Sequence, residues 1–188
     1  MKIVHLIAGI ALSATPSLAE ETTQLDAHEH GVGQLNIAFD ENKIAMELHA
    51  PGADIVGFEY GAKSDADLAA IDAALQTLSD PLGLFLIPEA ASCIVITAHA
   101  KLESEDSDHD DHDEEGHDDH DEAPGHTEFH AEYLLECANL TEISAITFSY
   151  FEIFPNALEL DVQVISDKGA TAFEIERDVA KLDLRGIF

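Results

Sequence analysis

From Glu103 to Glu122 the chain carries no apolar side chain. The segment contains only Asp, Glu, His, Ser and Gly; thirteen of its twenty residues are acidic and none is Lys or Arg. Such a stretch cannot bury apolar surface, so it is expected to be disordered without a ligand. Any folded core must therefore be assembled from the chain on either side of it. The composition of those two flanks decides what that core is.

Upstream, Gln34-Leu35-Asn36-Ile37-Ala38-Phe39 alternates polar and apolar residues, the period of a half-buried strand. Asp40-Glu41-Asn42 reads as a turn, and Ile44 to His49 resumes the alternation, so a hairpin is predicted that ends at Pro51-Gly52. Ser64 has the character of a helix N-cap, with Asp65 and Asp67 in the first turn and Leu68, Ile71, Leu75 and Leu78 at helical spacing behind it. Asp80-Pro81 stops that helix. Leu82 to Ile87 is apolar and fits either state, while Cys93 to Ala98 is β-branched and reads as a strand.

Downstream, Phe129, Ala131, Tyr133, Leu135 and Cys137 alternate along one predicted strand. Ile146 to Phe151, Leu158 to Ile165 and Thr171 to Ile175 read as three more, the last two joined by a turn at Asp167-Lys168-Gly169. The expected fold class is α+β: a mostly antiparallel sheet with one packed helix and a long disordered His/Asp/Glu-rich hairpin insertion.

The N-terminus reads as an export signal. Lys2 is followed by an apolar run from Ile3 to Ala14, and Ser17-Leu18-Ala19 places small residues where a signal peptidase cuts. The run is shorter than the roughly 20 apolar residues that a membrane span requires. The expected organisation is a signal peptide over 1–19 and a single domain over 20–188, with 103–122 as its loop and no membrane insertion after cleavage. With 39 Asp+Glu against 8 Lys+Arg, the chain repels nucleic acid and anionic headgroups and attracts cations. Acidity of this kind also serves solubility alone. Export favours a disulfide between the only two cysteines, Cys93 and Cys137, over two free thiols or a thiolate metal site. A bridge would lay their strands side by side and make the acidic segment a hairpin insertion tethered at both ends.

The histidines fall into groups. His109-x-x-His112 and His117-x-x-His120 repeat one spacing inside the insertion. Two imidazoles three residues apart can reach one ion on a turn or helix. Imidazole nitrogen suits zinc, copper and nickel, and the interleaved carboxylates can complete the shell. Carboxylates alone would favour calcium or magnesium. Chelation by a disordered loop loses chain entropy, so several weak, exchangeable ions are expected rather than one locked ion. The acidic surroundings favour imidazolium, so loading should fall in mild acid. His28-x-His30 before Gly31 is a second candidate pair, and a flexible polar tail explains it equally well. On a strand, His126, Glu128, His130 and Glu132 would share one face, either a rigid metal-competent surface or an ordinary solvent face. His49 and His99 stand singly on strands and read as structural histidines.

Taken in order, His28-Glu29-His30-Gly31, Val56-Gly57-Phe58-Glu59, Cys93, the acidic His-rich insertion, His126-Thr127-Glu128-Phe129 with Ala131, Tyr133 and Cys137, and the Phe151 to Pro155 segment resemble the ZrgA family of bacterial periplasmic zinc-binding proteins. The resemblance covers nearly the whole chain after the signal. It implies zinc binding in the periplasm and support of zinc import, alongside a zinc ABC transporter or its binding protein. His28, His30 and His126 match the family's histidine motifs, and Cys93 and Cys137 match its cysteine pair. His130 lies where the family is expected to vary. Tyr60 stands where a histidine is expected after Gly-Phe-Glu, so no ligand role carries over to it. The loop histidines match in composition rather than position.

The sequence thus points to a protein that captures or buffers zinc for import. A detoxifying sponge or metallochaperone for copper or nickel is the alternative, although Met1 and Met46 are the only methionines and the lack of a Met-rich run argues against a dedicated cuprous site. No His-Glu-x-x-His, Gly-x-Ser-x-Gly, phosphate loop or dinucleotide fingerprint is present, so a catalyst is not expected.

Overall fold

The computed structural model describes residues 29–104 and 126–187. The expected signal segment lies outside them, as does most of the expected loop. Its first two residues, Glu103 and Ser104, instead close a strand.

The predicted hairpin forms as β1 (Val32–Asp40) and β2 (Lys43–Pro51). Its alternation sorts the side chains: Leu35, Ile37 and Phe39 lie opposite Leu48, Met46 and Ile44 on the buried face, while Gln34 and Asn36 lie opposite His49 and Glu47 on the other. A single helical turn, α1 (Gly52–Ile55), leads towards α2 (Asp65–Leu78). Ser64 caps α2, its hydroxyl accepting from Asp67 N while the Asp67 carboxylate accepts from Ser64 N. The helix buries Ile71, Ala74 and Leu78, whereas Leu68 is 54% exposed beyond that stripe. Pro81 does not simply end the helix. It opens a short turn, α3 (Pro81–Leu84), before β3 (Phe85–Leu86).

β4 (Cys93–Ser104) and β5 (Thr127–Cys137) pair antiparallel, with Cys93 directly opposite Cys137 and Ser104 opposite Thr127. The two cysteines are bridged, so the insertion joins the ends of two covalently pinned neighbours. After them come β6 (Ala145–Phe148), α4 (Tyr150–Ile153), β7 (Glu159–Ser166), β8 (Gly169–Glu176) and β9 (Lys181–Asp183). The large sheet runs β4-β5-β2-β1-β7-β8, and a small one runs β3-β6-β9. All pairings are antiparallel except β1 with β7, which is parallel.

The expected strand over Ile146 to Phe151 ends at Phe148, and Tyr150-Phe151 turn into α4 instead. The reason is packing. A strand would send Tyr150 and Phe151 to opposite faces, yet both, with Phe154, belong to one core. A helical turn places all three inside, against Phe85 and Phe148, where each buried aromatic stabilises by roughly 1.5–3 kcal/mol. The core lies between the two sheets; Phe85 of the small sheet reaches Tyr133 of the large one at 6.2 Å. The opposite face of the large sheet carries the polar members of each strand. No helix among the described residues is long and apolar enough to cross a membrane.

Candidate metal centre

Three chain segments meet at one carboxylate. The first is the turn entering β1, where Gly31 adopts φ +90°, a region in which any side chain would be strained. Its amide donates to Asp54 Oδ1 at 2.8 Å, and its carbonyl accepts from Leu158 N and Glu159 N, each at 2.8 Å. These contacts fix the backbone beside His30. The second segment follows α1 and carries Glu59. The third is the lead into β5, carrying His126. Gly52 ties the last two together, since a Cβ there would meet Thr127 Oγ1 at 2.3 Å and Phe58 O at 2.7 Å. Only a glycine lets α1 approach β5 this closely.

Glu59 Oε2 accepts from His30 Nε2 and from His126 Nδ1, both at 2.9 Å. The Glu59 side chain is 14% exposed beneath imidazoles that are 66% and 51% exposed. Partial burial would push the Glu59 carboxyl up, but the hydrogen bonds and charges of His126 and His30 outweigh it and hold it below the ordinary range. Asp54 is only 2% exposed. Burial pushes its carboxyl up, and the Gly31 amide opposes that only in part.

Zinc binds imidazole nitrogen and carboxylate oxygen at about 2.0–2.2 Å, which sets tetrahedral neighbours about 3.3 Å apart. Each nitrogen–oxygen separation at Glu59 is a hydrogen-bond distance, 2.9 Å. Among the described residues, the groups whose ligand atoms already lie within 4.8 Å of one another are His49, Glu128 and His130, and Glu159, Asp161 and Glu174, so an ion at Glu59 would draw the two rings closer together. The exposed rings leave one side of the carboxylate open to solvent.

Of the residues that the sequence singles out, His30 and His126 come together here. His28, His109, His112, His117 and His120 lie outside the described residues. His126 and His130 have different partners. His126 stands just before β5 and turns to Glu59, whereas His130 lies on the polar face of the large sheet beside Glu128 and His49. One ligand atom from each of His49, Glu128 and His130 lies within 4.8 Å of the other two. The reading of His49 as a solitary structural histidine missed this, because the signal is a strand register, His49 opposite His130, rather than a spacing. His99 is exposed on β4 opposite Glu132. Glu59, at the end of Val56-Gly57-Phe58-Glu59, is the residue of this centre that sequence reasoning did not single out. Tyr60 stacks on Phe58 at 4.8 Å, with Lys63 over its ring. Cys93 and Cys137 hold a disulfide, so they are not metal thiolates.

The family model described as ZrgA family zinc uptake protein matches residues 27–184. No curated protein matches the chain.

Proposed function

Since the chain belongs to the ZrgA family of zinc uptake proteins, we propose that it acts in the periplasm, capturing zinc and buffering it for import. The observation that carries this reading is the shared oxygen of Glu59, which gathers His30 and His126 from separate parts of the chain. A carboxylate flanked by two imidazoles offers a ligand set suited to zinc rather than to calcium or magnesium.

In this reading His28, close before His30, adds a further imidazole. The insertion histidines His109, His112, His117 and His120 collect exchangeable ions, and the protein passes zinc to a zinc ABC transporter or its binding protein. The chain binds and hands on the metal without catalysing a reaction. Its two groups differ in kind: the Glu59 centre is built on folded backbone, whereas the insertion depends on composition.

Zinc titration of the purified chain against a chromophoric chelator tests the proposal. The full chain should bind more than one zinc. Glu59→Gln should weaken one step by at least tenfold, on the scale seen when metal-site residues are removed. Deleting 105–125, which spares the Glu103 and Ser104 ends of β4, should remove most of the remaining capacity. Unchanged affinity in a His30→Ala/His126→Ala variant would defeat the assignment. Growth of a deletion strain separates the roles: sensitivity to zinc starvation supports import, and sensitivity to excess copper or nickel supports detoxification.

A further inference from the structure

The polar face of the large sheet holds a second histidine–carboxylate cluster that shares no residue with the Glu59 centre. Antiparallel register sets His49 of β2 opposite His130 of β5, with ring centroids 4.1 Å apart. Glu128, two residues before His130, offers Oε2 to both rings. It lies 3.6 Å from His49 Nδ1 and is hydrogen-bonded to His130 Nε2. Glu128 is only 7% exposed, and a carboxylate this buried is tolerated only where positive or donor groups face it.

Two further acids complete the surroundings. Glu103, the register partner of Glu128 on β4, places Oε2 3.3 Å from His130 Nε2 while its other oxygen pairs with Lys101. Glu47 Oε1 lies 3.2 Å from His49 Nε2.

We propose that His49, Glu128 and His130 form a second binding site for a zinc-class divalent ion, with Glu103 supplying a fourth ligand through oxygen. The choice of ion rests on the zinc reading above; the site itself does not depend on the Glu59 centre. Two imidazole nitrogens with one carboxylate favour zinc, copper or nickel over calcium and magnesium. All three ligands stand on paired strands whose register fixes their spacing, so little ordering is needed when an ion arrives. Ring protons hold the cluster together when no ion is bound, and an ion would replace them between the same atoms. The site also lies at the end of the β4–β5 pair where the His-rich insertion leaves and rejoins the sheet, since Ser104 and Thr127 are its last partners. An ion released by the insertion therefore has this folded site close at hand.

The test is long-range 1H–15N spectroscopy of the imidazoles of the full chain titrated with zinc chloride, read together with chelator competition. His49 and His130 signals should move to metal-bound positions. They should do so in Glu59→Gln as well. His49→Gln/His130→Gln should weaken one zinc step at least tenfold without disturbing the His30 and His126 response. Glu128→Gln, which keeps the shape of the side chain, should weaken the same step and so guards against a folding defect. Millimolar calcium or magnesium should leave both rings unmoved. If His49 and His130 keep their metal-free signals while other histidines saturate, the second site is wrong and the Glu59 centre stands. If no histidine responds, both fall.

Discussion

The carboxylate of Asp54 accepts the Gly31 amide at 2.8 Å, so the residue beside His30 is held by an acid that is itself almost wholly buried. Burial raises the Asp54 carboxyl, and the Gly31 hydrogen bond offsets only part of that. The sign follows from linkage. Between the unfolded value and the raised folded value, the native state holds a proton that the unfolded chain has lost, so stability falls as pH rises through that window. Ionised Asp54 is thus a cost at neutral pH. Asp54→Asn keeps the accepting oxygen and removes the charge. In chelator, it should be more stable than the parent at pH 7, the gap narrowing towards pH 4. Asp54→Ala strands the buried amide and should lose about 1–3 kcal/mol. Urea denaturation across that range decides. A parent more stable than Asp54→Asn at pH 7 would mean that attraction to His30 outweighs burial.

Arg177 organises the turn that the alternation pattern missed. Its guanidinium donates to the carbonyls of Phe151, at 2.6 Å, of Phe154, at 3.0 Å, and of Ala157, and lies 5.9 Å from the Phe151 ring centre. These carbonyls belong to α4 and the chain just after it. A planar fork serves all three, and an ammonium cannot. Arg177→Lys should therefore cost about 1.5–3 kcal/mol, the range for hydrogen bonds to charged groups. Denaturant midpoints and the near-ultraviolet circular dichroism of the buried tyrosines would report it. A loss under half a kilocalorie would mean that the aromatic core alone holds the turn.

Cys93 and Cys137 are partners twice over, in register and in a covalent bond. β4 is an edge strand, and it exposes Ile94, Val95 and Ile96 around a bulge between Val95 and Thr97. Little core holds this strand, so the bridge matters more than it would at the sheet centre. Reduction, or Cys93→Ser/Cys137→Ser, should lower stability by about 2–4 kcal/mol. Hydrogen exchange should quicken along β4 while β1, β2 and β7 keep their protection. Uniform loss across all strands would show that β4 is integral to the core.

Much of this architecture is legible in the sequence wherever a local period maps onto one buried face. Leu35, Ile37 and Phe39 alternate and are buried together; Ser64 looks like a cap and is one. The family resemblance, read from ordered motifs, is borne out over residues 27–184. What escaped depends on pairing between distant segments. Nothing in Val32 to Asp40 announces that it will lie parallel to Glu159 to Ser166. Tyr150 and Phe151 fit a strand until a single shared core forces them into a turn. His49 is solitary in sequence and becomes a neighbour of His130 only through the β2–β5 register. His126, just before β5, meets Glu59 of a segment 67 residues away in the chain, a contact that no local spacing announces.

At the Glu59 centre, acid should release zinc through the imidazoles and not through the carboxylate. His126 and His30 outweigh partial burial and hold the Glu59 carboxyl below its ordinary range, so it stays ionised well into mild acid. Imidazole takes up its proton between roughly pH 5 and 8, and only the neutral ring binds zinc. Zinc affinity read on the His30 and His126 ring signals should therefore fall as the pH is lowered from 7 to 5. Glu59→Gln should lower the affinity near pH 7 and still show a fall with acid, because the rings remain the groups that take up protons. An affinity that does not fall in the parent would show that these two rings are not the ligands. Loss of the fall with acid in Glu59→Gln would show that the carboxylate, and not the imidazoles, is what acid titrates.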